Sequence, residues 1–469
     1  MTSCPKSRSP EAGSGPRGSF YLVNLLWAAI LGLVSGLACV AVRLLYRLLQ
    51  WLLTGHGGLL SDAAAHLPLW RRAITPAIGA LLATAVIWVS RRFAGKFEEY
   101  VEAVRLDNGR ISFLPTLWRT ISSAFSVATG AAIGREGSMI QFAAAATSLL
   151  GRSLRISSLP LATQVACGAA AAVATAYQAP VAGMFFAAEI VVGRLSMAEA
   201  PLLLVSALVG SITGRYILGG GPLFAVAGRP VADLHHAVMI LPLAALMSVS
   251  MGVLGPAYYL LIRSLRSAAK LPLALVWSGV VVGVLSLHST EIWGNGDAAL
   301  LSIMHASPAM WTLLSVLVLR LCATTFCVGT GTVGGVFTPT LFAGAALGLL
   351  AVRLIHAPDP LLFATVGAIV GMACLLAAVT HAPLMAALMA VELTGQWMLL
   401  PLILLCTVAS WAVARSISHH SLYALATPEP VGGLADGDLP ATPVHVGVFH
   451  QNSAHRKEAH PMEVVEAGE

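Results

Sequence analysis

The sequence predicts an all-α polytopic membrane protein made of two related halves with broken helices. Three observations predict it: an apolar composition, a series of long apolar runs and an internal repeat. Of 469 residues, 57% are hydrophobic and only 10% are charged, whereas a soluble globular chain is nearer 25% charged. Uncharged apolar stretches recur at 21–42, 73–90, 156–188, 237–262, 271–290, 321–352 and 393–414. Most reach the roughly 20 residues needed to cross a hydrocarbon core of about 30 Å. The first run is too long for the apolar region of a cleaved signal, and further runs follow it.

The formal charge of +6 does not mark a nucleic-acid surface. Its basic residues lie beside the ends of the apolar runs (Arg43, Arg47, Arg71, Arg72, Arg91, Arg92, Lys96), where membrane-flanking charge belongs. Residues 1–18 are polar and rich in Gly, Ser and Pro, and are expected to be disordered. Their Lys6, Arg8 and Arg17 against one Glu11 favour a cytoplasmic N-terminus. Residues 19–424 form the membrane body, with repeats at about 20–215 and 236–424, and 425–469 form a short polar tail. The longest polar interruption runs from Gly219 through Asp233. The seven cysteines lie mostly inside apolar runs, without metal-ligand spacing, and read as small buried hydrophobes. No metal-binding or protease motif is present, and no cofactor or metal is expected.

The repeat is carried by two pairs of segments. "GAAAAVATAYQAPVAGMFFAAEI" from Gly168 matches "GMACLLAAVTHAPLMAALMAVEL" from Gly371, with Pro180 and Pro383, and Glu189 and Glu392, in register. Upstream, "TGAAIGREGS" (129–138) matches "TGTVGGVFTP" (330–339) at nearly the same offset. Two matches in the same order relate the halves, a pattern found in transporters, often with inverted topology. Gly and Pro inside these runs break helices at membrane depth, which is tolerated only where protein or a water-filled cavity satisfies the freed backbone. A helix that starts there offers unpaired N–H groups and a positive dipole end, and such ends bind anions. Starts after Gly134 and Gly335, facing each other, would make an anion site from backbone amides.

Glu136, between Gly134 and Gly137, is the candidate gate. A carboxylate at a helix start is a tethered anion, which leaves when a mobile anion arrives or when it takes up a proton; burial favours the protonated form. The alternative is a self-neutralising Arg135–Glu136 pair, although neighbours on a helix face poorly. In "GGVFTP" the amides of Val336 and Phe337 would act, with Pro339 in the first turn, where a missing N–H does no harm. Glu189 and Glu392 fit either proton relays or anchors of neighbouring helices. Arg320 and Arg415 read as interface or snorkelling residues, and the "GNG" at Gly294–Gly296 reads as a turn.

"GREGS", "GGVFTP", the paired "AP…E" helices and a late "SLY" resemble the ClC chloride channel and transporter family over about residues 20–425. "EYVEA", "WGNG", "GGVFTPTLF" and "THAP" look like its bacterial ClcB-type branch. The resemblance implies a ClC-type fold of about eighteen membrane helices in inverted repeats. It further implies a homodimer with one pore per subunit in the bacterial inner membrane, with both termini cytoplasmic. It assigns gating and proton acceptance to Glu136. It assigns chloride binding to Gly134, Arg135 and Gly137, to Gly335, Val336 and Phe337, and to the hydroxyl of Tyr423. Two departures stand out. No serine precedes Glu102–Ala103 where the family carries a ligand, and Ile190 occupies the place of the inward-side glutamate found in proton-coupled members. An apolar side chain cannot relay protons, which favours a gated chloride channel over a chloride/proton antiporter, with transport of another small anion also open. An intramembrane enzyme using Glu136 as a base has no second catalytic group at fixed spacing.

Overall fold

The computed structural model describes residues 17–425, except 94, 96, 107, 222, 225–233, 307 and 356–359. The disorder expected of 1–18 and the tail at 425–469 therefore fall outside the described residues, apart from the boundary positions 17, 18 and 425. Residues 17 and 18 already belong to the first helix.

The first half contains α1 (Arg17–Thr54), α2 (Leu60–His66), α3 (Leu69–Phe93), α4 (Tyr100–Leu106), α5 (Phe113–Ala128), α6 (Glu136–Ser153), α7 (Leu161–Tyr177), α8 (Pro180–Phe186) and α9 (Ala200–Leu218). The second contains α10 (Leu234–Ser264), α11 (Ala274–Ser286), α12 (Asp297–Ala306), α13 (Met310–Gly329), α14 (Phe337–Leu354), α15 (Pro360–Thr380), α16 (Pro383–Thr394) and α17 (Leu400–Ile417). The fold is all-helical among the described residues, and its seventeen α-helices agree with the expected number of about eighteen. Among the described residues, eight helices are long and apolar enough to cross a membrane.

Not every apolar run is one span. The run at 156–188 divides into α7 and α8, and 321–352 is shared between α13 and α14. The breaks sit where the repeat places Gly and Pro, and their backbone angles recur. Gln178 and His381 are both left-handed, at φ 57° and 59°, and the alanines after them have φ −124° and −126°. Pro180 and Pro383 then open the next helices at the first position, where no N–H is required. The turns at Thr129 and Thr330 are likewise duplicated: each hydroxyl donates to a carbonyl four residues earlier, at 2.8 Å.

Packing repeats as well. α1 packs on α7 and α9, as α10 packs on α15 and α17; α6 packs on α7, as α14 packs on α15. In the latter pair Gly344 and Gly348 lie against Gly371 and Gly367, so closely that a Cβ on Gly348 would come within 2.1 Å of the Gly367 carbonyl oxygen. Membrane helices approach this way because packing, not escape from water, drives their association.

The "AP…E" glutamates tie the halves together. The carboxylate of Glu392 accepts from the N–H groups of Val181 and Ala182 at 3.1 and 2.7 Å. That of Glu189 accepts from Leu384 and Met385 at 3.3 and 2.8 Å. Each glutamate satisfies the orphan amides of the equivalent helix in the other half, and this reciprocity is the signature of a two-fold relation. Of the two roles open to these residues, the geometry matches anchoring. Replacing either with leucine is expected to cost about 2–4 kcal/mol, because hydrogen bonds to a charged group are lost and buried amides are orphaned. Glu392→Gln should leave any proton-to-chloride ratio unchanged. Thermal unfolding in detergent and flux in liposomes check the two outcomes.

Arg320 does not snorkel. It is 2% exposed and donates to the carbonyl oxygens of Glu291 and Gly294, fastening the loop before α12. Five of the cysteines, Cys39, Cys167, Cys327, Cys374 and Cys406, are buried.

Candidate functional site

The two loops singled out by the repeat meet. The Gly134 N–H donates to the Gly335 carbonyl at 2.6 Å, and the Gly335 N–H returns a bond to Gly134 at 2.7 Å. This isolated antiparallel bridge lies between the starts of α6 and α14. Contact this close needs glycine: a Cβ on Gly137 would lie 2.8 Å from the Gly335 nitrogen, and one on Gly134 2.9 Å from the Gly335 oxygen.

The bridge changes which amides are free. Those of Gly134 and Gly335, expected as anion donors, are occupied by each other. The amides with no carbonyl a turn earlier are those of Glu136, Gly137 and Ser138 in α6 and of Phe337 and Thr338 in α14, since the first helical bonds come from Met139 and Thr340. Pro339 contributes no N–H. Val336 precedes the first turn of α14 and Arg135 that of α6.

Glu136 is buried, at 4% exposure. Its Oε1 accepts from Asn295 Nδ2 at 2.8 Å, while Oε2 is buried without a partner and lies against Gly134. The Arg135 guanidinium lies 3.8 Å from Glu136 and 3.4 Å from Asp297 Oδ2. The pair is therefore not self-contained: Asp297 shares the arginine and Asn295 holds the glutamate. Beneath the loop, Ser138 Oγ meets Tyr46 and Ser123 at 2.5 and 3.0 Å and donates to the Arg135 carbonyl at 2.9 Å.

Phe337 stacks at a tilt on Tyr177, with ring centres 5.1 Å apart, and the Tyr177 hydroxyl meets Thr338 Oγ1 at 3.0 Å. Tyr423 packs edge-on against Phe186 at 6.0 Å and lies within electrostatic reach of Tyr177. Thus Gly134, Arg135, Glu136, Gly137, Gly335, Val336 and Phe337 gather at the bridge, whereas Tyr423 makes its ring contact with Phe186. Sequence reasoning missed Asn295, Asp297, Tyr177 and Thr338. "GNGD" gave a turn signal and no partner, whereas Tyr177 stands two residues before the "AP" break.

Of the two departures from the resemblance, Ile190 is buried in a π-helical segment, Ala187–Val192. Its carbonyl accepts from Arg105 Nη2 at 2.6 Å. In the region without serine, Gln141 bonds the Glu98 carbonyl and the Tyr100 N–H, at 2.9 and 3.0 Å.

Two helix starts that meet at a glycine bridge between related halves, with a buried carboxylate at the first of them, define a polytopic membrane protein built around broken helices. The family model described as Voltage gated chloride channel matches residues 78–415, and the chain belongs to this family, the ClC family. A putative chloride channel protein ClcB-like of Ralstonia nicotianae is 41% identical over 422 residues, which is 85% of this chain and 95% of that one. The voltage-gated ClC-type chloride channel ClcB of Citrobacter koseri is 36% identical, over 87% of this chain and 99% of that one. Among solved structures, a slow cyanobacterial Cl-/H+ antiporter is similar with a TM-score of 0.75 at 22% identity, covering 86% of this chain and 96% of that one. A CLC-type fluoride/proton antiporter reaches 0.69 at 18% identity, over 87% of this chain and 97% of that one.

Proposed function

We propose that this protein carries chloride across a bacterial inner membrane, through a site formed by the amides beside the Gly134–Gly335 bridge and gated by Glu136. The observation that carries the reading is the buried carboxylate lying at the start of α6 with Oε2 unpartnered. A mobile anion would find the same unpaired N–H groups and positive dipole ends. Protonation of Glu136 removes the tethered charge and opens the site. The reading takes passive conduction first, because Ile190 offers no inward proton acceptor. The reading is one of transport, in which Glu136 gates the site rather than acting as a catalytic base. The working unit is a homodimer with both termini cytoplasmic.

A coupled chloride/proton exchanger is the second reading, and Glu99 favours it. This group stands just ahead of α4, where burial pushes its carboxyl up to about 7, Arg119 opposing the rise and Glu102 adding to it. It also lies within electrostatic reach of Tyr423. A carboxyl titrating near neutrality within electrostatic reach of that tyrosine is the candidate substitute for the missing relay.

Purified protein in liposomes, with an outward chloride gradient and a potassium ionophore, separates the readings. Conduction predicts chloride efflux with no accompanying uphill proton movement. Exchange predicts proton movement in fixed ratio to chloride, abolished by Glu99→Gln while chloride flux persists. Absence of chloride flux would defeat both readings.

A further inference from the structure

We propose that Asn295 is the latch of the gate: a positioning residue that holds Glu136 over the amide site and sets the pH at which the carboxylate lets go. The inference rests on the reading of Glu136 as the gate and adds a residue to it.

The orientation of the Asn295 amide is fixed from both ends. Its Oδ1 accepts from the Asp297 N–H at 3.3 Å, at the start of α12, which leaves Nδ2 to donate to Glu136 at 2.8 Å. The flipped amide would set donor against donor at one end and acceptor against acceptor at the other.

The loop that carries Asn295 is anchored independently of the gate. The Gly294 N–H donates to the Gly130 carbonyl at 3.2 Å, and Arg320 donates to the Gly294 carbonyl at 3.0 Å. Trp293 is buried, and its ring lies where a Cβ on Gly130 would stand. Gly294 and Gly296 take φ values of 78° and 101°, which lets the chain turn sharply on either side of Asn295. A side chain held this firmly donates from a fixed position.

The latch acts through a single bond, since Oε2 of Glu136 has no partner. A hydrogen bond from a neutral amide to a carboxylate is roughly twice as strong as one to the neutral acid. The latch therefore holds the ionised gate and loosens once the proton arrives. Asn295 does not titrate, so it donates at every pH. The charged and titratable groups around Glu136 are Arg135 beside it, Arg43 and Tyr46 of α1, Tyr177 of α7 and Asp297 of α12. Asn295 is the neighbour that bonds the carboxylate without adding charge.

The test is the pH profile of chloride efflux from liposomes. Donation to the carboxylate favours its ionised form, so loss of the donor raises the pH at which the gate protonates. Asn295→Leu should move the midpoint up by about one unit, the size expected for a hydrogen bond to a charged group. Asn295→Asp keeps the oxygen that accepts from Asp297 and the shape of the side chain, so the loop stays intact. It sets a second acid against Glu136 and should move the midpoint up by at least as much. In a Glu136→Gln background, with its profile already flat, neither substitution should change the pH dependence. A flat Glu136→Gln profile together with an unmoved midpoint in Asn295→Asp overturns the latch and leaves the gate standing. A Glu136→Gln protein that keeps its pH dependence overturns the gate reading, and the latch with it.

Discussion

Replacing Glu136 with alanine is expected to leave chloride efflux running at every pH. In the unsubstituted protein, efflux should fall steeply as the pH rises and the gate ionises. In Glu136→Ala the flux between about pH 5 and 8 should vary less than twofold. The expectation is electrostatic: Glu136 carries a buried carboxylate at the start of α6, and alanine in its place neither blocks the helix start nor titrates. Glu136→Gln should behave similarly in pH, with lower flux, because a neutral side chain of the same size still crowds the site. Liposome efflux at a series of pH values decides the matter, and a retained steep dependence in both variants would remove Glu136 from the role of gate.

The second large effect is expected at Gly137. Its added Cβ would stand 2.8 Å from the Gly335 nitrogen and 3.0 Å from both the Gly334 carbonyl carbon and the Gly335 Cα. All three are backbone atoms, which cannot rotate away as a flexible side chain can. The two loops must separate, and the bonds of 2.6 and 2.7 Å between Gly134 and Gly335 weaken with them. Overpacking of this kind costs about 1–3 kcal/mol, enough to lower flux about fivefold to a hundredfold if it falls on the transporting geometry. Gly57→Ala is the control, since nothing lies within 4 Å of a Cβ there, and its flux should match that of the unsubstituted protein. Chloride titration calorimetry on Gly137→Ala should show weaker binding along with the loss of flux.

Much of the architecture was legible because Gly and Pro punctuate apolar text. The breaks at "YQAP", "THAP", "GREGS" and "GGVFTP" are where helices end or start, and the register between them told which segments correspond. The meeting of Gly134 and Gly335 was expected as two helix starts facing each other. What could not be read was the consequence of the meeting, that these two glycines occupy each other's amides and pass the role of donor to the residues after them. Asn295 was illegible for a different reason. A turn signal says how the chain bends and nothing about what the side chain at its apex touches, here a carboxylate 159 residues away in sequence. Glu189 and Glu392 kept two meanings in the sequence because a carboxylate near a helix end suits a relay or an anchor equally. Their partners, amides of the opposite half, decide between these, and partners are a property of the fold. Arg320 was equally open: beside an apolar run it read as an interface or snorkelling residue, and it spends its donors on the carbonyls of Glu291 and Gly294.

The exchange of carboxylates between the two "AP…E" segments also constrains how the chain can be made. When α8 leaves the ribosome, the acid that satisfies its first amides lies 210 residues further along, so the first half inserts with its helix start unsatisfied. The bridge imposes a similar wait, because Gly134 must be held open until Gly335 arrives. A truncated chain ending before Gly335 would lack both closures at once. The protein thus cannot mature half by half: the first half stays provisional until Gly335 and then Glu392 have arrived and closed both ties.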